Sequence, residues 1–189
     1  MTDTRQQNVV DLLLEQHEQI RDLFAKVQKA RGKRKEELFS DLVRLLAVHE
    51  TAEEEIVHPA SREKIPSGEK VVAGRLKEES EAKEELAHLH DLGVDHPEFD
   101  GKLAELAEAV SAHADHEERE EFSQLRKAVS EDELRKMAGA LRAAEAIAPT
   151  RPHPAAGESA VGNMLLGPPV AVFDRMRDAV RDWSRSNKG

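Results

Sequence analysis

Apolar residues recur every three or four positions through four successive stretches of the chain, the period of an amphipathic helix. The first stretch runs from about residue 8 to 30 with the stripe Val9, Leu13, Ile20, Phe24 and Val27. The second covers about 35 to 58 with Leu38, Leu42, Leu45, Leu46, Ile56 and Val57, and is expected to stop before Pro59. The third spans about 69 to 91 with Val72, Leu76 and Leu86, after the Pro66-Ser67-Gly68 break. The fourth opens at Pro97 and reaches about 128, with Leu103, Leu106, Val110 and Leu125. Connections this short turn neighbouring helices antiparallel, so the pattern predicts an all-α fold, an antiparallel up-down four-helix bundle over residues 1–130 with additional C-terminal helices. An additional helix is expected over 131–148, a Pro/Ala/Gly-rich linker over 149–169, and an amphipathic C-terminal helix over 170–189 with Phe173, Met176, Val180 and Trp183 on one face. That last helix is expected to dock on the bundle, on a second copy in a homodimer, or on a partner.

Each stripe is broken by a side chain that does not belong in an apolar core. In the first helix it is His17; in the second, His49 and Glu53 project into the middle of the stripe. The fourth repeats that pair, with Glu117 inside the stripe and His113 on its flank, and in the third Glu79 is the one acidic residue well centred on the apolar face. A buried isolated carboxylate costs several kcal/mol or is neutralised, so these positions imply a cation or a positive side chain facing them. Residues i and i+4 lie one turn apart on one face, roughly 6 Å along the axis, so each His-x-x-x-Glu pair can converge on one metal or on a close pair of metals. Three imidazoles and three carboxylates from four helices then meet in one pocket: His17, His49, Glu53, Glu79, His113 and Glu117.

Competing explanations exist for each position. A lone buried histidine is more often hydrogen-bonded than metal-bound, and a metal-free polar network is the alternative for the two inward pairs. Lys83, one turn past Glu79, makes a Glu79–Lys83 ion pair the alternative on the third helix, with His90 as the other candidate ligand there. Nine histidines produce about one His-x-x-x-Glu match by chance, and the outward-facing His116 with Glu120 is taken as that accident. His58, His88 and His116 point away from their apolar faces and His96 and His153 sit in breaks, so all five are expected at the surface. The run from Glu117 to Glu121 is expected to be a solvated face, Glu117 excepted.

Composition narrows the chemistry. Aromatics make up 3% of the 189 residues and Tyr is absent, while helix-forming residues dominate. With 28 basic and 38 acidic residues the net charge is -10, which argues against nucleic acid and anionic membrane as partners. No apolar run reaches membrane-span length and no signal-peptide core opens the chain, so a cytoplasmic location is expected. The absence of cysteine excludes thiolate zinc sites, iron–sulfur clusters and covalent c-type haem, which leaves His and carboxylate to hold any metal.

The segments LLEQHEQIRDLF, LAVHETAEEEIVHPA, EESEAKEEL with PEFDGKL, and AVSAHADHEEREEF resemble the HHE cation-binding group of hemerythrin-like proteins over about residues 8 to 128. The resemblance implies a four-helix bundle with two non-haem iron ions, oxo- or hydroxo-bridged, and ligation by His17, by His49 and Glu53, and by His113 and Glu117, the two glutamates bridging. It departs from many relatives in placing Glu79 where they carry a histidine. It departs further from the oxygen-carrying hemerythrins, whose sites are richer in histidine. Anionic oxygen donors favour the higher oxidation state, so the expected centre rests diferric with open positions for a small diatomic or peroxide ligand. The implied function is handling of peroxide, nitric oxide or dioxygen in oxidative or nitrosative stress defence, with sensing or oxygen binding without turnover as the alternative. No catalytic side chain is designated.

Overall fold

Helix α1, Val9–Lys29, starts on Asn8, whose side chain accepts the Asp11 amide at 3.1 Å while the Asp11 carboxylate accepts the Asn8 amide at 3.1 Å. The reciprocal pair satisfies two of the donors that a helix N-terminus leaves open. The structure is a computed structural model that describes residues 7–147 together with residues 174, 177 and 178. A turn through Gly32, at φ +52°, leads into α2, Gly32–Ala52. From Glu53 to Val57 this helix widens into a π-helical turn, where the His58 amide bonds the Glu53 carbonyl five residues back, and then tightens into α3, His58–Lys64.

The second helix therefore does not stop before Pro59. Pro59 falls in the first turn of α3, where a backbone amide hydrogen is not required. Helix α4, Gly68–Leu92, ends on Gly93 at φ +77°. Helix α5, Phe99–His116, passes through a second π-helical turn, Glu117–Phe122, into α6, Ser123–Ala128, and α7 spans Glu131–Ile147. The described residues form a helical bundle without strands, and none of its helices is long and apolar enough to cross a membrane. The expected linker over 149–169 lies outside the described residues. So do Phe173, Met176, Val180 and Trp183, while residues 174, 177 and 178 are helical.

Helix α1 packs against α2, α5 and α7, and α4 packs against α3 and α5. The apolar stripes do not merge into one core. One cluster gathers Ile20, Phe24, Leu42, Leu46, Leu86, Leu103 and Leu106; the other gathers Val9, Leu13, Ala52, Val57, Phe122 and Leu125 with Leu134, Ala138 and Leu141 of α7. Helix α1, the α2–α3 run and the α5–α6 run contribute buried residues to both sides, α4 gives Leu86 and Leu89 to the first and the partly buried Val71 to the second, and α7 serves the second. Between the two clusters runs a buried layer in which α1, α2, α4 and α5 carry polar residues.

The start of α4 is held tightly against α3. A Cβ on Gly68 would overlap the Ser61 carbonyl and the Arg62 backbone. Helix propensity alone favours Gly68→Ala by up to about 1 kcal/mol, whereas a backbone clash of this kind is expected to cost 1–3 kcal/mol or more. Thermal or urea unfolding of Gly68→Ala is therefore expected to show net destabilisation; an unchanged or raised midpoint would contradict the packing.

Candidate metal centre

The polar layer is built from the positions where the helices pass between the two apolar clusters. His17 of α1, His49 of α2, Glu79 of α4 and His113 of α5 are buried there, and Glu53 and Glu117, the first residues of the two π turns, have no exposed surface. Donor atoms of His17, His49, Glu53 and Glu117 all lie within 4.8 Å of one another, and so do those of Glu53, Glu79, His113 and Glu117. The six residues expected from sequence come together as two groups that share Glu53 and Glu117. Exposed His90, the other sequence candidate on α4, lies elsewhere, with its Nδ1 3.6 Å from Asp91.

Ring orientations are fixed from outside the layer. His17 Nδ1 donates to Glu118 Oε1 at 2.9 Å and His113 Nδ1 to Glu78 Oε2 at 2.9 Å. The Gln16 amide donates through Nε2 to Glu145 of α7, which leaves its Oε1 to accept from His49 Nδ1 at 2.8 Å. In a neutral ring such outer partners select the tautomer that presents Nε2 as a lone pair. The Nε2 atoms of His17 and His49 consequently face each other at 3.1 Å. Such a contact is attractive when a proton on one ring or a shared metal cation lies between the two nitrogens. Glu117 faces an imidazole at each oxygen, His113 Nε2 at 3.2 Å from Oε1 and His17 Nε2 at 3.3 Å from Oε2, and His49 Nε2 lies 3.4 Å from Glu53 Oε1.

Hydrogen bonding leaves this layer incomplete. Both oxygens of Glu53 and of Glu117, Oε2 of Glu79 and Nε2 of His113 are buried without a hydrogen-bond partner. Buried polar atoms are seldom left so, and here they converge as a mixed imidazole and carboxylate donor set. The residues present fit a pair of cations.

Charge within the layer is strongly coupled. Burial, reinforced by Glu117 and Glu79, pushes the Glu53 carboxyl well above its ordinary range. Burial also opposes ionisation of Glu117, but His113 and His17 override it and hold that carboxyl well below the usual value. Burial and the neighbouring His17 ring depress His49. For His113, burial is outweighed by Glu117 and Glu78, which raise the ring to about 9. The Glu79–Lys83 ion pair is present but is the longest of three: Lys83 Nζ lies 2.5 Å from Glu54 and 3.1 Å from Glu50, against 3.8 Å from Glu79 Oε2. Arg177 reaches the same edge, with a bond to Glu54 Oε2 at 2.9 Å.

Two sequence expectations are corrected. His58, expected at the surface, is 1% exposed, and Glu121, expected on a solvated face, is fully buried. His58 Nδ1 bonds Glu121 Oε1 at 3.0 Å and Nε2 bonds Glu79 Oε1 at 2.8 Å. Turning 100° per residue from Leu42 places His58 about 160° off the stripe, but the extra residue of the π turn brings it back by about 100°. The same offset carries Phe122 inward on the fourth helix. The available signal was the parallel between the two motifs, since His-x-x-x-Glu-Glu leads into a π turn both times. His88 and His96 are exposed, and His116 is partly exposed and shares Glu78 with His113.

Beside the layer, a cavity of about 330 Å³ opens on His17, His49, Glu79 and His113 and is walled largely by Ile20, Phe24, Leu46, Ala107, Val110 and Ala114.

The sequence model of the Hemerythrin HHE cation binding domain matches residues 8–125. The chain belongs to that family. The chain is also 27% identical over 145 residues to a protein named DNA nickase from Nostoc sp., a match spanning 76% of this chain and 41% of the relative, so about two-fifths of that protein's length is represented. Its fold matches the crystal structure of a hemerythrin HHE cation binding domain-containing protein from Mycobacterium kansasii at a TM-score of 0.69, with 20% identity, covering 92% of this chain and 97% of that one.

Metal-free, this HHE domain is expected to lose stability as the pH rises from neutral. His113 is raised to about 9, and His58 to about 10 because its bonds to Glu121 and Glu79 outweigh burial, against 6.5 for an ordinary histidine. The folded state thus holds protons that the unfolded chain releases. Their contribution is whole below pH 6.5 and gone above pH 10. Denaturant titrations of the chelator-treated protein at pH 6.5, 8 and 9.5 measure it, and stability that is flat or rising across that range would contradict the protonated layer.

Proposed function

We propose that this HHE domain holds two non-haem iron ions through His17, His49, Glu53, Glu79, His113 and Glu117, with Glu53 and Glu117 shared between them. On this reading it handles small oxidants, namely peroxide, nitric oxide or dioxygen, in oxidative and nitrosative stress defence. The long helices are taken as an antiparallel up-down four-helix bundle around the site. The observation that carries the reading is the apolar cavity opening directly on four of the six ligand residues. Iron held by these six residues would supply reversible redox chemistry.

The protein's own part is positioning and exclusion. Glu118, Gln16 and Glu78 hold the rings of His17, His49 and His113 with Nε2 inward. Ile20, Phe24, Leu46 and Val110 wall much of the approach with apolar side chains, beside Arg21, Glu50 and Glu108, a setting that admits a small uncharged molecule. Among the candidate reactions, peroxide disproportionation suits a site with no assigned electron donor, since one peroxide is oxidised to dioxygen while a second is reduced to two waters. Nicking of DNA stays with the Nostoc relative, because a net charge of -10 repels a phosphate backbone.

Iron-loaded protein is expected to contain two irons per chain and to consume hydrogen peroxide at least ten times faster than His49→Ala, which lacks one inward Nε2; equal slow rates in both would sink the enzymatic reading. A second reading, ligand sensing relayed through the C-terminal segment, is favoured by the Arg177–Glu54 bond at the edge of the layer. Under it, deleting residues 150–189 leaves iron binding intact and abolishes an iron-dependent change in self-association measured by sedimentation. A sedimentation profile indifferent to iron in the full chain removes that reading.

A further inference from the structure

We infer that His58 is a fourth imidazole ligand of the metal pair, supplied from α3 on the side of the layer where Glu79 stands. The inference rests on the metal reading above and extends its donor set to four imidazoles and three carboxylates.

The geometry treats His58 as it treats the other three rings. In each case Nδ1 is held by an acceptor outside the centre: Glu118 for His17, Gln16 for His49, Glu78 for His113 and Glu121 for His58. In each case Nε2 is aimed at carboxylate oxygens of the layer, for His58 at Glu79 Oε1, 2.8 Å away. Four rings in one posture is the pattern of ligands with oriented tautomers. Among these rings His58 is as thoroughly buried as any, at 1% exposure.

The competing account makes His58 an imidazolium that pins Glu79 and Glu121 together. One imidazolium has two donors, and both are already used. Glu79 Oε2, Glu121 Oε2 and both oxygens of Glu117 still lack hydrogen-bond partners in the same space. Donor atoms of His58, Glu117 and Glu121 lie within 4.8 Å of one another, so a cation held at His58 is within reach of Glu117, whose oxygens the ring does not serve, while Glu121 stays on Nδ1. A metal that takes Nε2 of His58 and an oxygen of Glu79 releases the direct bond between them and leaves Nδ1–H on Glu121. The π turn explains why the donor comes from α3, since it rotates His58 into the layer nine residues after His49.

The test uses the full chain, labelled with ¹⁵N-histidine and loaded with two equivalents of ¹¹³Cd²⁺. Direct ¹¹³Cd–¹⁵N coupling is expected at Nε2 of His17, His49, His113 and His58, with Nδ1 of His58 still protonated. His58→Gln is expected to keep the other three couplings and to bind its weaker cadmium ion at least ten-fold less tightly. Coupling at the other three rings alone, with both nitrogens of His58 protonated, overturns the inference and leaves the metal centre standing. Absence of coupling at all four rings overturns the metal centre and the inference together.

Discussion

Buried carboxylates between two apolar clusters set the terms for the rest of this fold. Glu53, Glu79 and Glu117 are withdrawn from water, and an uncompensated buried charge costs several kcal/mol, a large share of the stability of an ordinary domain. The histidines answer that cost with positive charge or, on the proposed reading, with shared cations. Helix α1, the α2–α3 run and the α5–α6 run must then each satisfy three demands at once: an apolar segment above the layer, another below it, and a correctly rotated donor between. The π turns at Glu53–Val57 and Glu117–Phe122 are where the helices adjust their rotation to meet all three.

Legibility in the sequence followed from uniform helical period. The apolar stripes gave the helices, and His17, His49, Glu53, Glu79, His113 and Glu117 stood out because each interrupts a stripe where a polar group is expensive. That reasoning is accurate as long as 3.6 residues make a turn. Beyond Glu53 and Glu117 they do not, so His58 and Glu121 were placed outside although both are buried. Pro59 misled for a related reason, because a proline reads as a stop unless the chain restarts a helical turn just before it.

Partners outside the layer were also hidden, for a different reason. Glu118, Glu78 and Gln16 are ordinary helix-surface residues by pattern, and only the relative rotation of two helices reveals that each meets an imidazole Nδ1. Gln16 depends on α7 as well, since Glu145 fixes which way its amide points. A helix that sequence treats as an addition to the bundle therefore bears on the tautomer of His49. Because amide orientation is set at two removes from the ring, local pattern carries no trace of it.

The division into two apolar clusters has a kinetic side. Glu53 and Glu117 are fully enclosed between the clusters, so an ion reaching or leaving them without parting the helices must pass the cavity that opens on His17, His49, Glu79 and His113. Much of that passage is walled by apolar side chains, and an ion must shed much of its water to use it. For any cation held there, a tighter-binding competitor arriving later meets that barrier as well as the affinity of the donors.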